Sequence, residues 1–127
     1  MAFRDGKLWM PFGTPGGDVQ CQSMTQLFLN VAEFGMDVQQ AIEAPRVASW
    51  SFPDSGWPHG YTPAAMSAEG RIAPETIREL ERRGHSVEVW DDWTPRMGAL
   101  CAITIDRERD TLQVGADLRR DNYALGR

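Results

Sequence analysis

Leu8, Trp9, Met10 and Phe12 crowd the segment Lys7 to Phe12, directly after the turn signal Asp5-Gly6. This short apolar run predicts a buried strand that ends at Gly13-Thr14-Pro15-Gly16-Gly17. Beyond that loop Met24, Leu27, Phe28, Val31 and Phe34 recur at helical spacing, while Gln22, Gln26, Asn30 and Glu33 lie on other faces. An amphipathic helix is predicted there, closed by Gly35 in the left-handed position past its end. Asp37 with Gln40 three residues later forms a capping box for a second, shorter helix, which Pro45 stops near Ala44.

From Ser49 to Pro63 periodicity disappears among Ser, Pro, Gly and the aromatics Trp50, Phe52, Trp57 and Tyr61, which reads as a packed surface loop. Pro74, Glu75, Arg82, Arg83 and Gly84 then occupy the start, first turn, last turn and end of a short helix whose apolar side is Ile77 and Leu80. Val87 and Val89 alternate with Glu88 as a strand. Ala99 to Ile105 forms a second strand, apolar and buried on both faces, and Thr111 to Gly115 a third, joined to it as a hairpin through Asp106 to Asp110. The expected fold class is α/β (α+β), mainly antiparallel strands with packed helices, in a single domain spanning 1–127.

Composition narrows the function classes. In 127 residues, 42% hydrophobic and 24% charged, the balance is that of a chain able to build a core. Thirteen basic against 18 acidic residues leave a net charge of -5, which provides no field to hold a nucleic acid. No apolar run approaches the roughly 20 residues of a membrane span. The opening residues Met1 to Gly6 lack the charged-then-apolar pattern of an export signal, and the compartment stays open. Cys21 and Cys101 are too few and too far apart to define a disulfide framework or a zinc knuckle, and no cofactor or metal motif is recognisable.

The sharpest candidate for chemistry is Thr14-Pro15-Gly16-Gly17-Asp18, between a predicted strand and the long helix. Two consecutive glycines permit positive φ and bring bare amides close to a ligand. If the Gly16 and Gly17 N–H groups face a cleft near the helix N-terminus, they can stabilise developing negative charge, the role of an oxyanion hole. A plain turn accounts for the same residues. A phosphate loop does not, because the Lys-Ser or Lys-Thr after the glycines is absent and Asp18 would repel the ligand.

Other candidates are weaker. Cys101, inside the apolar strand, reads as a buried structural thiol, and Cys21, in the first turn of the main helix, as a small buried residue. A hydrolase using Cys21 with His85 would lack an orienting third group; His85 more simply caps the helix ended by Gly84, and His59 is uninformative. Asp91 and Asp92, flanked by Trp90 and Trp93, would point to opposite faces of a strand and read as a solvated strand end rather than a carboxylate pair for glycan chemistry. Asp117-Leu118-Arg119-Arg120-Asp121 reads as local ion pairs that order the tail, with Arg119 or Arg120 reaching a substrate carboxylate as the functional alternative. Arg46 reads as a structural anchor at a helix end.

Taken in order, these pieces resemble the C-terminal part of the small subunit of γ-glutamyltranspeptidases, members of the N-terminal-nucleophile hydrolase superfamily. The resemblance runs over nearly the whole chain: Gly13 to Gly17, Asn30, Phe34-Gly35-Met36, Ala41 to Arg46, Glu69, Arg83 to Val87, and Gly115 to Arg120 with Ala124 and Gly126. It implies a partial αββα sandwich, with Gly16 and Gly17 donating the oxyanion-hole amides. The family's reaction is attack by an N-terminal threonine, freed by autocleavage, on the γ-glutamyl amide of glutathione or a related compound, with its own α-amine as base. Thr14 is internal, and the resemblance places the nucleophile and most residues that grip the substrate upstream of Met1. The chain alone is therefore expected to be inactive and to pair with a companion polypeptide or with itself. Asp18 stands where better-known members carry Ser or Thr, and Leu118 replaces the proline of the tail motif, so acylase relatives acting on other amides fall within the resemblance. The alternative is a non-catalytic binding or oligomerisation domain derived from that fold.

Overall fold

The structure, a computed structural model, describes residues 1–126. Its strands are β1 (Ala2–Arg4), β2 (Lys7–Met10), β3 (Phe12–Gly13), β4 (Val47–Ser49), β5 (Ala65–Glu69), β6 (Ser86–Trp90), β7 (Cys101–Asp106) and β8 (Thr111–Ala116). The helices are α1 (Val19–Ala32), α2 (Val38–Glu43) and α3 (Pro74–Arg82), with a 3₁₀ turn over Pro95–Met97.

Asp5 and Gly6 both take left-handed φ, +51° and +73°, the geometry that turns β1 back onto β2 as a hairpin. The predicted strand Lys7 to Phe12 divides at Pro11, which has no N–H to donate, although its carbonyl accepts from Ile103 N–H at 3.0 Å. β3 resumes beyond it and joins the antiparallel sheet β3-β7-β8. The hairpin of β7 and β8 pairs Cys101 with Ala116 through to Asp106 with Thr111, as the turn Asp106 to Asp110 foretells.

A second sheet, β4-β5-β6, holds an antiparallel pair and a parallel one, the latter connected through α3. β4 and β5 escape prediction. Ala65-Met66-Ser67-Ala68-Glu69 carries no β-branched residue, and tertiary contacts decide its conformation. Ser67 accepts the Trp50 indole N–H at 2.8 Å, and Glu69 meets a guanidinium described below.

The capping box of α2 forms as read, with Gln40 N–H donating to Asp37 at 2.8 Å. α1 ends two residues before Phe34, whose ring turns outward at 69% exposure instead of completing the apolar stripe. Gly35, at φ +68°, lets Met36 N–H reach the Asn30 carbonyl at 3.0 Å and closes the helix. Ile77 and Leu80 of α3 are only half-buried.

Leu27, Val38, Ala41, Ile42, Leu100 and Ala102 form one apolar cluster, where α1 and α2 cover one face of the β3-β7-β8 sheet. Val19, Ala48, Trp90 and Met97 form another, against Trp50. Between α1 and β4 the contact is polar. Gln26 donates to the Val47 carbonyl at 2.8 Å and accepts from Val47 N–H at 3.0 Å; Gln22 does the same for Ser49, at 3.1 and 2.7 Å. Two side chains thus stand in for a neighbouring strand along the β4 edge. Gln26→Met should leave both Val47 backbone groups unpaired and cost about 1–3 kcal/mol, read as a lower urea midpoint with an unchanged m value.

Candidate functional site

The glycine loop is held from one side. Thr14 Oγ1 accepts from Ala99 N–H at 2.7 Å and donates to the Pro15 carbonyl at 2.8 Å, which ties the loop to the segment entering β7. Gly98 comes so close that a Cβ built on it would lie 2.5 Å from Thr14 Oγ1 and 3.0 Å from the Pro15 carbonyl oxygen. Its φ of +90° and ψ of -164° also belong to glycine alone. In the sequence only an isolated glycine ahead of an apolar strand signals Gly98.

Gly16 and Gly17 take φ of +140° and +58°, so the pair does use the conformational freedom that its sequence offers. Their carbonyls accept from Gln20 and Val19 at the start of α1: Gly17 O from Gln20 N–H at 3.1 Å and Gly16 O from Val19 N–H at 3.3 Å. Among the described residues neither glycine N–H donates a hydrogen bond. Two bare amides next to a helix N-terminus can stabilise an anionic oxygen if one is brought to them.

Behind the loop lies a buried charge cluster. Arg46 donates to Asp117 Oδ2 at 2.7 Å, and Arg119 makes two bonds to Glu69, at 2.5 and 2.6 Å, and one to Asp117 Oδ1 at 3.0 Å. The part-exposed Arg71 adds a third guanidinium, 3.1 Å from Glu69 Oε2, and further N–H groups of the two buried arginines find backbone carbonyls. Arg46 reaches Ile42 O at 2.6 Å and Met97 O at 3.0 Å; Arg119 reaches Ile42 O and Ala44 O, each at 3.0 Å. Burial pushes the Arg46 pKa below its ordinary value, with Asp117 opposing the fall. Burial also pulls on Arg119, but its hydrogen bonds to Glu69 and the charges of Asp117 and Glu69 outweigh it and leave the pKa raised. Both arginines remain cations.

The cluster bears on the glycine loop from both sides of Gly98 and Ala99, and on the far side Asp117 Oδ2 accepts from Leu100 N–H at 2.8 Å. Met97 O accepts from Arg46 and, at 2.9 Å, from the buried hydroxyl of Ser23 on α1, which fixes the peptide just before Gly98. The reading of Arg46 as a structural anchor holds. Arg119 is closed to solvent on this cluster, so it does not reach outward to a substrate carboxylate, whereas Arg120 lies exposed and donates to Pro95 O at 3.0 Å.

Other expectations need correction. Cys21 and Cys101 are both exposed, not buried: Cys21 falls on the outer side of α1, and Cys101 on the sheet face away from the helices. The strand predicted as apolar and buried on both faces is buried on one, at Ala102; Ile103 and Ile105 on the other are half-exposed. His85 does not cap α3 with its ring: its backbone N–H bonds Leu80 O at 3.1 Å, and its Nδ1 is buried without a partner. No hydrogen bond joins Cys21 to His85 among the described residues. Asp91 and Asp92 lie exposed beyond the end of β6, as a solvated strand end. Among the described residues no group of three or more His, Cys, Asp and Glu side chains converges as a metal site requires, and no helix is long and apolar enough to cross a membrane.

Comparison with known proteins gives this arrangement a context. The glutathione hydrolase-like YwrD proenzyme of Bacillus subtilis is 39% identical over 126 residues, which are 99% of this chain and 23% of that protein. A solved structure of LmbA superposes with a TM-score of 0.89 at 42% identity, covering 98% of this chain and 22% of the other. The γ-glutamyltranspeptidase of Pseudomonas nitroreducens, at 23% identity, shares the fold with a TM-score of 0.75 over 98% of this chain and 58% of the solved one. This is the N-terminal-nucleophile hydrolase fold, of which the chain forms a part. It spans under a quarter of the length of the curated relative. With the family pattern for gamma-glutamyltranspeptidase matching residues 1–127 from end to end, the chain belongs to the γ-glutamyltranspeptidase family.

Proposed function

We propose that this chain is the C-terminal portion of an amide hydrolase or transferase of the γ-glutamyltranspeptidase type, in which the N–H groups of Gly16 and Gly17 form the oxyanion hole. The observation that carries the reading is the pair of unspent amides on a loop pinned by Thr14, Ala99 and Gly98. A donor held before the reaction needs no reorganisation when the carbonyl oxygen gains charge. An N-terminal threonine supplied by a segment outside these 127 residues attacks a γ-glutamyl amide such as glutathione, its α-amine taking the proton. The acyl group passes to water or to an acceptor amine. No cofactor is required.

The same reading calls for a companion segment or a second copy, and one sheet face supports it. Register pairs Ile103 with Val114 and Ile105 with Leu112, so four branched side chains share the face opposite α2, with Leu112 69% exposed. Leu112→Asp should release the companion or split the oligomer, seen as a lower mass by size-exclusion chromatography with light scattering, while the isolated chain stays folded.

The deciding experiment is gentle purification of the native protein, with intact masses and N-terminal sequencing of everything that co-elutes, followed by assay on γ-glutamyl and non-glutamyl amides. A stoichiometric segment beginning with threonine, and turnover that falls when Gly16 is replaced by valine, is the expected result. Recovery of this chain alone, stable and inert, would instead make it a binding or oligomerisation domain on the same fold.

A further inference from the structure

Asp18 forgoes the local role of its position. It precedes α1 as the N-cap residue, where an aspartate ordinarily accepts from the helix's own first amides, yet its side chain makes no capping bond. Instead Oδ2 accepts Ser55 N–H at 3.1 Å, 37 residues away in sequence. Hydrogen bonding from Ser55, from its side chain foremost and then its N–H, holds the Asp18 carboxyl below the usual carboxylate range. A folded-state pKa below the unfolded one means that the tether is intact at neutral pH and is lost as pH falls through that lowered value.

The loop reached by Asp18 is braced within itself. Asp54 N–H donates to Gly60 O at 2.9 Å, His59 Nδ1 lies 2.9 Å from Asp54 O, and His59 N–H bonds Gly56 O. A second tether joins its base to the same helix turn, since Gln22 pairs with Ser49 and also donates to Asp18 O at 3.3 Å. On this frame stand aromatic side chains with little cover. Trp57 is 88% exposed and meets His59 in a T-shaped contact, with ring centroids 5.9 Å apart at 84°; Tyr61 is 57% exposed. Aromatic rings on a braced loop offer flat apolar contact at low entropic cost.

We infer that the segment from Phe52 to Tyr61 is a specificity wall beside the glycine pair, that Trp57 contacts an aromatic or other flat apolar group of an amide substrate, and that Asp18 is the positioning residue that holds this wall in register with Gly17. The inference rests on the amide-hydrolase reading above for its substrate class, but not for the tether. Asp18 and Gly17 are consecutive, so the bond from Ser55 ties the loop to the residue that adjoins the glycine pair. The chemistry expected of the substrate is thus a scissile carbonyl at the glycine amides with a planar substituent a few bonds away.

The test uses the native protein and a matched pair of acyl amides, one bearing a phenyl group and one a short aliphatic chain. Trp57→Ala should lower the kcat/KM preference for the phenyl compound about five- to tenfold, the worth of one aromatic contact, mainly through KM. Asp18→Ala should erode the same preference and speed hydrogen exchange at the Ser55 amide. Asp18→Asn, which keeps the acceptor oxygen and loses the charge, should restore both. Full loss in Asp18→Asn would overturn the positioning role in favour of a charge read by the substrate. An unchanged preference in Trp57→Ala would overturn the wall, and Ser55 exchange unmoved by Asp18→Ala would overturn the tether. Should the wild type hydrolyse neither amide, it is the hydrolase reading that fails; calorimetric binding of the two amides to wild type and Trp57→Ala, with the exchange data, still decides the inference, equal affinities for both compounds counting against it.

Discussion

If Gly16 and Gly17 donate to an oxyanion as proposed, Gly98→Ala is expected to reduce turnover of the complete enzyme about a hundredfold, the cost of misplacing one oxyanion donor. The added methyl cannot be absorbed by a rotamer change. At 2.5 Å it meets Thr14 Oγ1, which is already engaged by Ala99 N–H, and at 3.0 Å it meets a backbone oxygen. The strained φ adds about 1–3 kcal/mol to the cost of keeping the native loop. The loop from Thr14 to Gly17 must therefore move, carrying both free amides with it. Gly13→Ala is the control: its Cβ would meet nothing within 4 Å, and stability should stay within about 0.5 kcal/mol. Thr14→Ala by itself should cost about 1–3 kcal/mol by orphaning Ala99 N–H. Combined with Gly98→Ala it should do less harm than the sum of the two, because it removes the closest clash. Strict additivity in that cycle, or full activity in Gly98→Ala, would mean that the close approach does not position the loop.

Arg119→Met should produce the largest loss of stability, about 3–5 kcal/mol, measured by urea unfolding. The guanidinium is closed to solvent and holds Glu69 by two bonds and Asp117 by one, so its removal leaves two buried carboxylates facing Arg46 and the half-exposed Arg71. Arg119→Lys should recover little, since an ammonium cannot serve two carboxylates and two carbonyls in the fork geometry that these contacts require. Arg82→Ala removes a two-bonded ion pair of nearly the same length, 2.7 Å to Glu79, but one that is 72% exposed on the arginine side, and should change stability by less than about 1 kcal/mol. Glu79 also keeps Arg83 and its contact with water, whereas Glu69 and Asp117 have no solvent to turn to. Because Arg46 of the same cluster fixes Met97 O beside Gly98, the proposed oxyanion role predicts that catalytic loss accompanies the loss of stability.

Much of this protein was legible in its sequence. Local signals act over a few residues, and they placed α1, α2 and α3, the capping box of Asp37 and Gln40, the β7–β8 hairpin, and the glycine pair with its positive φ values. The ordered resemblance that ran from Gly13 to Gly126 located the family. Tertiary structure alone decided the rest. β5 became a strand although its residues have weak strand preference, because Trp50 and Arg119 satisfy Ser67 and Glu69 in the interior. Arg46 and Arg119, 73 positions apart, met over one shared carboxylate, that of Asp117, and no local pattern marks a charge as buried until its partners are in place. Cys101 and Ile103 lay on a face that stays uncovered because an apolar strand records what it can bury, not which neighbour is present to bury it. The same holds for Asp18: its position at a helix start foretells a cap, and only the folded chain brings Ser55 within reach to take the bond instead.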